Sequence, residues 1–594
     1  MGVPEVHGTT GPATLETDTA QSAIDSVTLE IIRGKLVAVA DEMGLVLARS
    51  SMSPVIYEVL DFACGVCDPA GQLISQSNGI TVFTGIFSTQ IGTVLRKFAG
   101  NINPGDVFLM NNPYEGGTHL CDVCIIRPIF VDDRHVGFGI AVAHWSEVGG
   151  KTPGSLPPDA TDIFQEGIRF PALKLYDKGT RQEQIVDLIK ANGRLPKMSI
   201  GDLNAQLAAV RIAEIRVVEA ARKYGTDTLL AGFEHILSVS EKLSRAAIST
   251  MPRGTYTATD WVDGDGITPD RFPVKVAVTI GDDSITVDFT GSSPQVQGPV
   301  NCAEGATVSA VKTVLKALVE PSAASNDGWF RPLKVICPPG TIFSAEPPAA
   351  VGWYYEGTGH VSELVWKALA PVMKERVSAG SSNSLCVSVL AGADREGAPF
   401  VLVEPGMVGW GGTADRDGAS VVSAITNGDT FNYSIELLEA KFPLRMHQYA
   451  LNVDGGAGAG RHRGGYGSVR EYEILTPQAT LSASFGRSIE RPWGLDGGAQ
   501  GSCNRIEVVR SGEVINGARL PTLHLGVGDR VKFVTGGGGG FGDPLRRPLN
   551  DVANDVANGY ITAAQAKEQY RVIVSEQGIL DEAATAALRA GRTA

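Results

Sequence analysis

The chain of 594 residues is longer than one hydrophobic core usually supports, so we expect roughly two to four packed units. Hydrophobic residues make up 43% of the chain but form no uninterrupted apolar run of about 18 residues, which argues against a membrane-spanning helix. The formal net charge of −14, without a basic run interleaved with aromatic residues, argues against nucleic acid as a partner.

The N-terminal segment and the cysteines indicate the cellular compartment. Residues 1–25 lack the basic start and the apolar run of a secretory signal, and we interpret them as a flexible leader. The eight cysteines are sparse and irregularly spaced, which favours reduced thiols over a disulfide framework. Together these features predict a cytoplasmic protein.

Four elements are predicted before residue 111, from apolar spacing and turn signals. They cover residues 27–51 (helix), 61–76 (β-hairpin), 86–98 (helix) and 107–110 (strand). The hairpin is indicated by the turn Asp68-Pro69-Ala70-Gly71 between two short apolar runs, and Asp61 stands at its entrance.

Residues 111–150 contain the polar groups that are best placed for chemistry. Two strands, at 125–130 and 135–142, are predicted to form a hairpin. His119 and Asp122 precede this hairpin, and His144 and Glu147 follow it. The polar residues therefore lie at strand ends, where a rigid scaffold can bring them together.

The remainder of the chain is predicted to change from helical to β-rich. In chain order we expect a Gly/Pro-rich loop (150–170), helices interrupted near Asn192-Gly193 and near Lys197 (182–246), strands (274–280 and 284–289), helices (306–319 and 360–374), glycine-rich strands (384–543) and an amphipathic helical tail (551–594) without a core of its own.

The predicted fold class is therefore mixed α/β, of the α+β kind, with several domains. We divide the chain into a leader (1–25), an N-terminal α/β unit with the candidate site (26–253), a β-dominated, glycine-rich unit (254–545) and a helical tail (546–594).

Two imidazoles and a carboxylate make residues 111–150 a candidate site for a divalent cation. His119 and Asp122 are three residues apart and His144 follows 25 residues after His119, and their positions permit convergence on one ion. Only nine histidines occur in the chain, and three of them lie in this stretch. The alternative is that both imidazoles bond backbone carbonyls in a Gly-rich turn. Glu147, three residues after His144, is a candidate proton shuttle.

Two Cys-x-x-Cys pairs, Cys64/Cys67 and Cys121/Cys124, offer a rival metal site, because four thiolates could form a structural zinc centre. The pairs are far apart in the sequence, however, and positions i and i+3 of a strand point to opposite faces. We therefore favour small buried cysteines over zinc ligands.

Glycine accounts for 71 of the 594 residues, which predicts many tight turns and close backbone approaches. Two Gly-rich loops, 455–465 and 536–540, raise a nucleotide-binding hypothesis, since backbone N–H groups can bind phosphate. Neither loop has the Lys-Ser/Thr of a phosphate loop or the strand-turn-helix order of a dinucleotide site. We interpret both as tight β-turns.

Seven stretches between about residue 27 and residue 544 carry a resemblance to a known family. They read VTLEIIRGKLVAVADEMG, DFACGVCDPAGQLISQ, PGDVFLMNNPYEGGTHLCDV, AHWSEVGG, FRPLKVICPPGTIFSAEPPAAVG, GAGRHRGGYGSVREY and GGGGGFGDP. The chain resembles the hydantoinase B/oxoprolinase family, which includes the B-type subunits of ATP-dependent hydantoinases, oxoprolinases and related lactamases, and also the α-type subunits of acetone and acetophenone carboxylases.

The resemblance implies a zinc or manganese centre whose ligands are His119, Asp122, His144 and, from the Asp-Phe motif, Asp61. It also implies a hetero-oligomer in which a separate A-type subunit with an actin-like ATPase fold binds ATP. In the implied mechanism the partner uses ATP to phosphorylate a cyclic amide, a ketone oxygen or bicarbonate. The metal then polarises the activated group or delivers a hydroxide.

Two segments depart from the family pattern in the apolar direction. Residues 57–60 (Tyr-Glu-Val-Leu) stand where many members have a Lys-Glu-Arg run, and residues 79–83 (Gly-Ile-Thr-Val-Phe) stand where they have His-Ile-Pro-Val-His. Residues 352–355 (Gly-Trp-Tyr-Tyr) add aromatic side chains. These departures indicate a substrate less polar than oxoproline, aromatic or alkyl in character, and the alternative is drift within a pocket wall.

Our first hypothesis is therefore the B-type subunit of an ATP-dependent cyclic amide hydrolase. The second is a subunit of an ATP-dependent acetone/acetophenone-type carboxylase, which shares the metal and the partner but joins bicarbonate to carbon. The third is a non-catalytic structural subunit that only docks the ATPase chain.

Overall fold

The structure, a computed structural model, describes residues 25–428 and 430–591. The predicted leader lies outside these residues except for Asp25, whose carboxylate caps the first helix by accepting hydrogen bonds from the N–H groups of Val27 and Thr28. The helices of the described residues are α1 (Ser26–Ser50), α2 (Pro54–Tyr57), α3 (Thr81–Lys97), α4 (Glu183–Asn192), α5 (Pro196–Tyr224), α6 (Thr226–Ser249), α7 (Glu304–Val319), α8 (Tyr354–Met373), α9 (Ile435–Lys441), α10 (Leu549–Ala557), α11 (Ala563–Tyr570) and α12 (Glu582–Ala590).

The strands of the described residues form four sheets. The strands are β1 (Phe62–Cys67), β2 (Leu73–Gln76), β3 (Val107–Met110), β4 (Asp122–Val131), β5 (Arg134–His144), β6 (Leu173–Asp177), β7 (Thr180–Arg181), β8 (Gly254–Asp263), β9 (Arg271–Ile280), β10 (Ile285–Asp288), β11 (Leu333–Ile336), β12 (Val387–Ala393), β13 (Pro399–Glu404), β14 (Leu444–Leu451), β15 (Ser468–Ile474), β16 (Ala479–Ser484), β17 (Arg505–Arg510), β18 (Glu513–Gly517), β19 (Arg519–Leu525) and β20 (Arg530–Val534). Their orders are β2-β1-β5-β4-β3-β6-β7, β11-β10-β9-β8, β13-β12-β16-β19 and β14-β15-β20-β17-β18.

The seven-stranded sheet carries α1 and α3 on opposite faces. A Cβ added to Gly44 of α1 would contact the ring of Phe62 in β1, and a Cβ added to Gly65 of β1 would contact the ring of Phe87 in α3. Phe62 and Gly65 are three residues apart on one strand and so point to opposite faces. Helices α1 and α3 therefore cover opposite faces of the seven-stranded sheet.

The predicted mixed α/β class is confirmed, and most predicted elements are present with shifted ends. The interruption near Asn192-Gly193 is observed between α4 and α5, but the predicted break near Lys197 is wrong, because Pro196 and Lys197 begin α5. A break that we did not predict separates α5 from α6 at Gly225, whose φ is 89°. Helix α8 begins at Tyr354, six residues before the predicted residue 360, and this shift brings two tyrosines onto the helix.

One buried apolar cluster extends from Ile32 to Phe533 and includes residues on both sides of the predicted boundary at residue 254, where β8 begins. The tail differs from its prediction, because residues of α10 and α11 form a small separate core around Val552, Val556 and Tyr570. Among the described helices, none combines the length and the apolar character needed to cross a membrane.

The glycine run at residues 536–540 is extended, so its prediction as a tight turn is wrong. None of its members has a φ in the left-handed region. Their peptide groups bond to those of neighbouring segments, as where the Gly458 N–H donates to the Gly538 carbonyl (2.8 Å) and the Gly539 N–H donates to the Gly380 carbonyl (2.8 Å). A Cβ on Gly538 would lie 2.1 Å from the carbonyl oxygen of Trp410. The run needs glycine because backbone packs directly on backbone.

Candidate metal centre

Three neighbouring strand ends bring together two carboxylates and an imidazole. His144 at the end of β5 lies opposite Asp122 at the start of β4, and its N–H donates to the carbonyl of Asp61, just before β1 (3.0 Å). Paired residues of antiparallel strands point to the same face of the sheet. The next residue, Trp145, points the other way and donates from Nε1 to Gln206 on α5 (2.9 Å). Phe62, the residue after Asp61, likewise points to the α1 face. The side chains of Asp61, Asp122 and His144 therefore project from the opposite face, on which α3 lies, and away from α5.

His119 reaches the same point from the turn that precedes β4. Its Nδ1 lies 2.8 Å from the carbonyl oxygen of Gly352. A carbonyl oxygen only accepts, so the neutral imidazole carries its proton on Nδ1 and presents the lone pair of Nε2. The alternative prediction, that the imidazoles bond backbone carbonyls, thus holds for Nδ1 of His119. The other ring nitrogen, Nε2, faces Asp122 and His144.

Three ligand atoms converge in this space. His119 Nε2 lies 3.1 Å from Asp122 Oδ1 and 3.2 Å from His144 Nδ1, and His144 Nδ1 lies 3.2 Å from Asp122 Oδ1. Atoms bound to one ion at about 2.1 Å lie roughly 3 to 3.4 Å apart, so the spacing fits a shared divalent cation. The three residues are the only such group of histidine, cysteine and acidic side chains found among the described residues. They can hold a metal ion.

Asp122 is held by its second oxygen. Asp122 Oδ2 accepts hydrogen bonds from the Thr118 hydroxyl (2.5 Å) and from the Tyr354 hydroxyl at the start of α8 (3.3 Å). These two hydrogen bonds fix the Asp122 carboxylate with Oδ1 toward the imidazoles, and hydrogen-bond partners commonly orient metal ligands in this way. Within the described residues, His144 Nε2 is buried without a hydrogen-bond partner.

The electrostatics of the site favour an ionised Asp122. Burial opposes ionisation, but the His119 and His144 imidazoles outweigh it and hold the pKa of the Asp122 carboxyl below its ordinary value. Burial likewise disfavours the charged form of His119, yet the charge and hydrogen bond of Asp122 raise the pKa of His119 above its ordinary value. Burial raises the pKa of Asp61 to about 6, and the charge of Asp122 adds to this while His144 and His119 oppose it. The cluster is thus a pair of carboxyl groups with unequal pKa values.

The four predicted ligands line one small cavity of about 20 Å³, with Asp61, which is partly exposed, beside the converged group. This volume suffices for an ion or a water molecule but not for a ring. The wall is apolar and includes Phe83, Tyr355, Leu385 and Val403. Neither lysine nor arginine is among the described residues that line it.

Much of this wall was not predicted from the sequence, because it comes from distant parts of the chain. Leu385, Val403 and Asn427 belong to the glycine-rich unit, whereas the ligands belong to the N-terminal unit. Thr118 and the carbonyl of Gly352 were also missed, since backbone groups and single hydroxyls leave no pattern in a sequence. The aromatic residues at 353–355 were noted only as a departure from the family pattern.

Glu147 is placed away from the cavity lining. Its Oε1 accepts a hydrogen bond from the Gly149 N–H (2.6 Å), and its Oε2 forms an ion pair with Nη1 of Arg194 (2.8 Å). The carboxylate is buried, and its contacts join the loop that follows β5 to Arg194, which lies between α4 and α5. The structure therefore does not bring Glu147 together with the four predicted ligands.

The four cysteines of the Cys-x-x-Cys pairs are buried free thiols, at most 1% exposed. Burial raises the pKa of each thiol. A protonated thiol is a poor metal ligand. The interpretation as small buried side chains is consistent with this placement, and the metal cluster of the described residues contains no cysteine.

Comparisons with known proteins agree over nearly the whole chain. The family model Hydantoinase B/oxoprolinase matches residues 25–544. The putative B-type subunit of a D-/L-hydantoinase from Pseudomonas sp. (strain NS671) is 34% identical over 585 residues, which cover 95% of this chain and 98% of that protein.

Two solved structures are similar in fold. The ATP-dependent caprolactamase from Pseudomonas jessenii has a TM-score of 0.89 at 29% identity, covering 96% of this chain and 100% of that chain. The nucleotide-free structure of acetone carboxylase has a TM-score of 0.88 at 21% identity, covering 95% of this chain and 82% of that chain. The second similarity concerns the fold alone.

Proposed function

Because the chain belongs to the hydantoinase B/oxoprolinase family, we propose that it is the metal-binding subunit of an ATP-dependent enzyme that hydrolyses a cyclic amide. The observation that carries the proposal is the convergence of His119 Nε2, Asp122 Oδ1 and His144 Nδ1 at 3.1–3.2 Å among buried side chains. Relatives named as a hydantoinase component and as an ATP-dependent caprolactamase support the hydrolysis of cyclic amides.

His119, Asp122 and His144 would hold a divalent ion, zinc or manganese, with Asp61 as the fourth ligand. When bound, such an ion supplies a Lewis acid that polarises an amide oxygen and lowers the pKa of a water molecule. The Gly352 carbonyl keeps the proton of His119 on Nδ1, away from the site. The burial of His119, Asp122 and His144 strengthens the electrostatic interactions among them.

The lining of the cavity favours an uncharged substrate. Phe83, Tyr355 and Leu385 offer apolar contact. A carboxylate-bearing ring such as oxoproline would need a cationic side chain, and the described lining residues supply none. This placement supports the less polar substrate that the departures at residues 79–83 and 352–355 indicate.

ATP is proposed to bind to a partner, the A-type ATPase subunit of the same enzyme class, in a hetero-oligomer. The Pseudomonas hydantoinase relative is named as one component of a multi-subunit enzyme, which supports the existence of a partner. The five N–H groups of residues 536–540 already donate to carbonyls and side chains of other segments, which leaves this glycine run without free N–H groups for a phosphate. The eight free thiols support the reducing cytoplasm as the compartment.

The test is an assay of the purified chain with its partner and ATP against hydantoins, lactams and ketones, with and without bicarbonate. We expect ATP-dependent ring opening without bicarbonate, which is lost in His119→Ala and kept in His235→Ala, a control histidine that is exposed on α6. Bicarbonate-dependent ATP turnover would instead establish the carboxylase. Full activity of a metal-free His119→Ala complex would leave the chain a structural subunit.

A further inference from the structure

A groove of about 520 Å³ opens on the surface of the protein and is separate from the metal cavity. Its walls are mostly apolar and include Leu195, Phe400, Val401 and Leu525. Volumes of about 300–1,000 Å³ with apolar walls and a few polar groups are typical of small-molecule sites.

One face of the β12–β13 hairpin connects this groove to the metal cavity. Val401 of β13 lines the groove, and Val403, two residues further along the strand, lines the cavity. Residues two apart on a strand project from the same face, about 7 Å from each other. The floor of the groove therefore continues into the wall of the metal centre.

Residues 153–156, which we call the gate loop, lie across this floor. Pro153 lines the groove, whereas Leu156 lines the metal cavity. Between them, Gly154 has a φ of 80°, and a Cβ at this position would lie 2.5 Å from Cγ1 of Val389 and 3.3 Å from Cγ1 of Val401. Val389 is the cross-strand partner of Val403. The gate loop thus fills the space between the two chambers.

The side chain of Arg194 fastens the segment that leads into the gate loop. Its Nη2 donates to the carbonyl of Gly150 (2.7 Å), and its Nη1 donates to the carbonyl of Thr152 (3.4 Å) and pairs with Oε2 of Glu147 (2.8 Å). Arg194 also lines the groove. Its charge is neutralised by Glu147, so the groove gains no free cation from it.

We propose that this groove binds the uncharged cyclic amide before it reaches the metal centre, and that the gate loop, whose preceding segment is held by the Glu147–Arg194 pair, separates the two chambers. This inference rests on the proposed function. The metal cavity, at about 20 Å³, cannot contain a ring, whereas the groove can. The gate loop must move for the ring to pass along the face of β13, and the same movement must withdraw Leu156 from the metal cavity so that the cavity widens to admit the ring.

The binding step is tested on the full chain without ATP, by ligand-observed NMR with a seven-membered lactam as the probe. Thr480, which is partly exposed, and His524, which is exposed, both line the groove. Thr480→Trp and His524→Trp should each fill the groove with a large ring. Both should weaken lactam binding by about tenfold or more, since a large ring removes the space. Thr286→Trp, at a partly exposed strand position in another sheet, is the control and should bind as the wild type does.

Binding of equal strength in the two groove variants and the wild type would overturn the assignment. An absence of lactam binding to the wild type would also overturn the assignment, and would indicate that the groove binds a protein segment instead. This readout does not depend on turnover, so a lactam that binds but is never hydrolysed refutes the proposed function and not the groove.

The gate is tested by the rate at which a chelator removes the bound metal. Arg194→Ala and Glu147→Gln should each release metal about tenfold faster, because the segment that leads into the gate loop loses its fastening. Arg216→Ala removes a surface arginine that pairs with Glu42 on α1 and serves as the control. Unchanged metal release from both Arg194→Ala and Glu147→Gln would contradict a gate. Lost turnover with unchanged metal release in Glu147→Gln would instead support a role of Glu147 as a proton shuttle.

Discussion

At the scale of single residues, Asp122 connects the parts of the candidate metal centre. One carboxylate oxygen faces His119 and His144, and the other accepts from Thr118 and Tyr354. A carboxylate held by both oxygens cannot rotate, and the two imidazoles keep it ionised by lowering its pKa. Such a fixed and ionised carboxylate is suited to bind a divalent ion.

Thr118→Val should lower the affinity for the divalent metal by roughly tenfold, because the hydroxyl that orients Asp122 Oδ2 is replaced by a methyl group of similar size. Competition with a metallochromic indicator measures the affinity. Thr93→Val on α3 also removes a buried hydroxyl that bonds a carbonyl, at a place without contact to Asp122, and should leave the affinity unchanged. Equal losses in both variants would assign the effect to general destabilisation.

The buried carboxyl group of Glu166 should make the stability of the folded protein depend on pH. Its Oε1 accepts from the N–H groups of Val351 (2.9 Å) and Gly352 (2.7 Å). Burial raises the pKa of Glu166 from 4.5 to about 8, although these two N–H groups oppose the shift. Between pH 4.5 and 8 the folded protein therefore holds a proton that the unfolded chain releases, so stability falls as the pH rises through this window.

Glu166→Gln should remove this dependence, because an amide does not ionise. The melting temperature of the variant, relative to the wild type, should rise from pH 5.5 to pH 8 and stay level above it. Differential scanning calorimetry at several pH values measures the difference. A constant difference across the window would show that Glu166 is ionised in the folded protein at neutral pH.

At the scale of elements, the hairpin around the site was predictable and its surroundings were not. Alternation and turn residues predicted the strands that became β4 and β5, and hence that Asp122 and His144 lie at strand ends. The start of α8 was predicted six residues late, because Trp353 and Tyr354 do not signal a helix start and no side chain caps it. Tyr354 consequently went unrecognised as a partner of Asp122.

The extended glycine run gives the prediction for this scale. Gly538→Ala should destabilise the protein by about 3 kcal/mol or more, since the new methyl group would overlap the Trp410 carbonyl. Gly34→Ala on α1, where a Cβ meets nothing within 4 Å, should be neutral or stabilising by up to about 1 kcal/mol. Thermal unfolding of both variants gives the comparison, and equal melting temperatures would contradict backbone-on-backbone packing.

At the scale of the whole molecule, the candidate site is shared by regions that the sequence divides. The candidate ligands lie before residue 150, but Gly352 and Tyr354 orient two of them, and Leu385 and Val403 line the same cavity. Contacts across more than 200 residues leave no local pattern, so the sequence could indicate His119, Asp122 and His144 as candidate ligands but not the residues around them. Asp61 was identified through the family resemblance alone, because an isolated aspartate before a strand carries no signal of its own.

Residues 26–253 expressed alone should therefore neither fold cooperatively nor retain metal. The fragment lacks the Gly352 carbonyl, the Tyr354 hydroxyl and half of the apolar cluster that runs from Ile32 to Phe533. Proton NMR dispersion and metal content of the fragment, beside those of the full chain, measure the outcome. A well-folded fragment that binds metal would establish the boundary at residue 254 as that of an independent domain.

The most direct test of the metal centre is the amount of divalent metal retained per chain after dialysis, by wild type and by Asp122→Asn. The amide keeps the size of Asp122 but loses the charge that lies between the two imidazoles. We expect about one equivalent in the wild type and almost none in the variant, with both proteins folded. Equal metal contents, or a wild type that retains none, would contradict a metal centre at His119, Asp122 and His144.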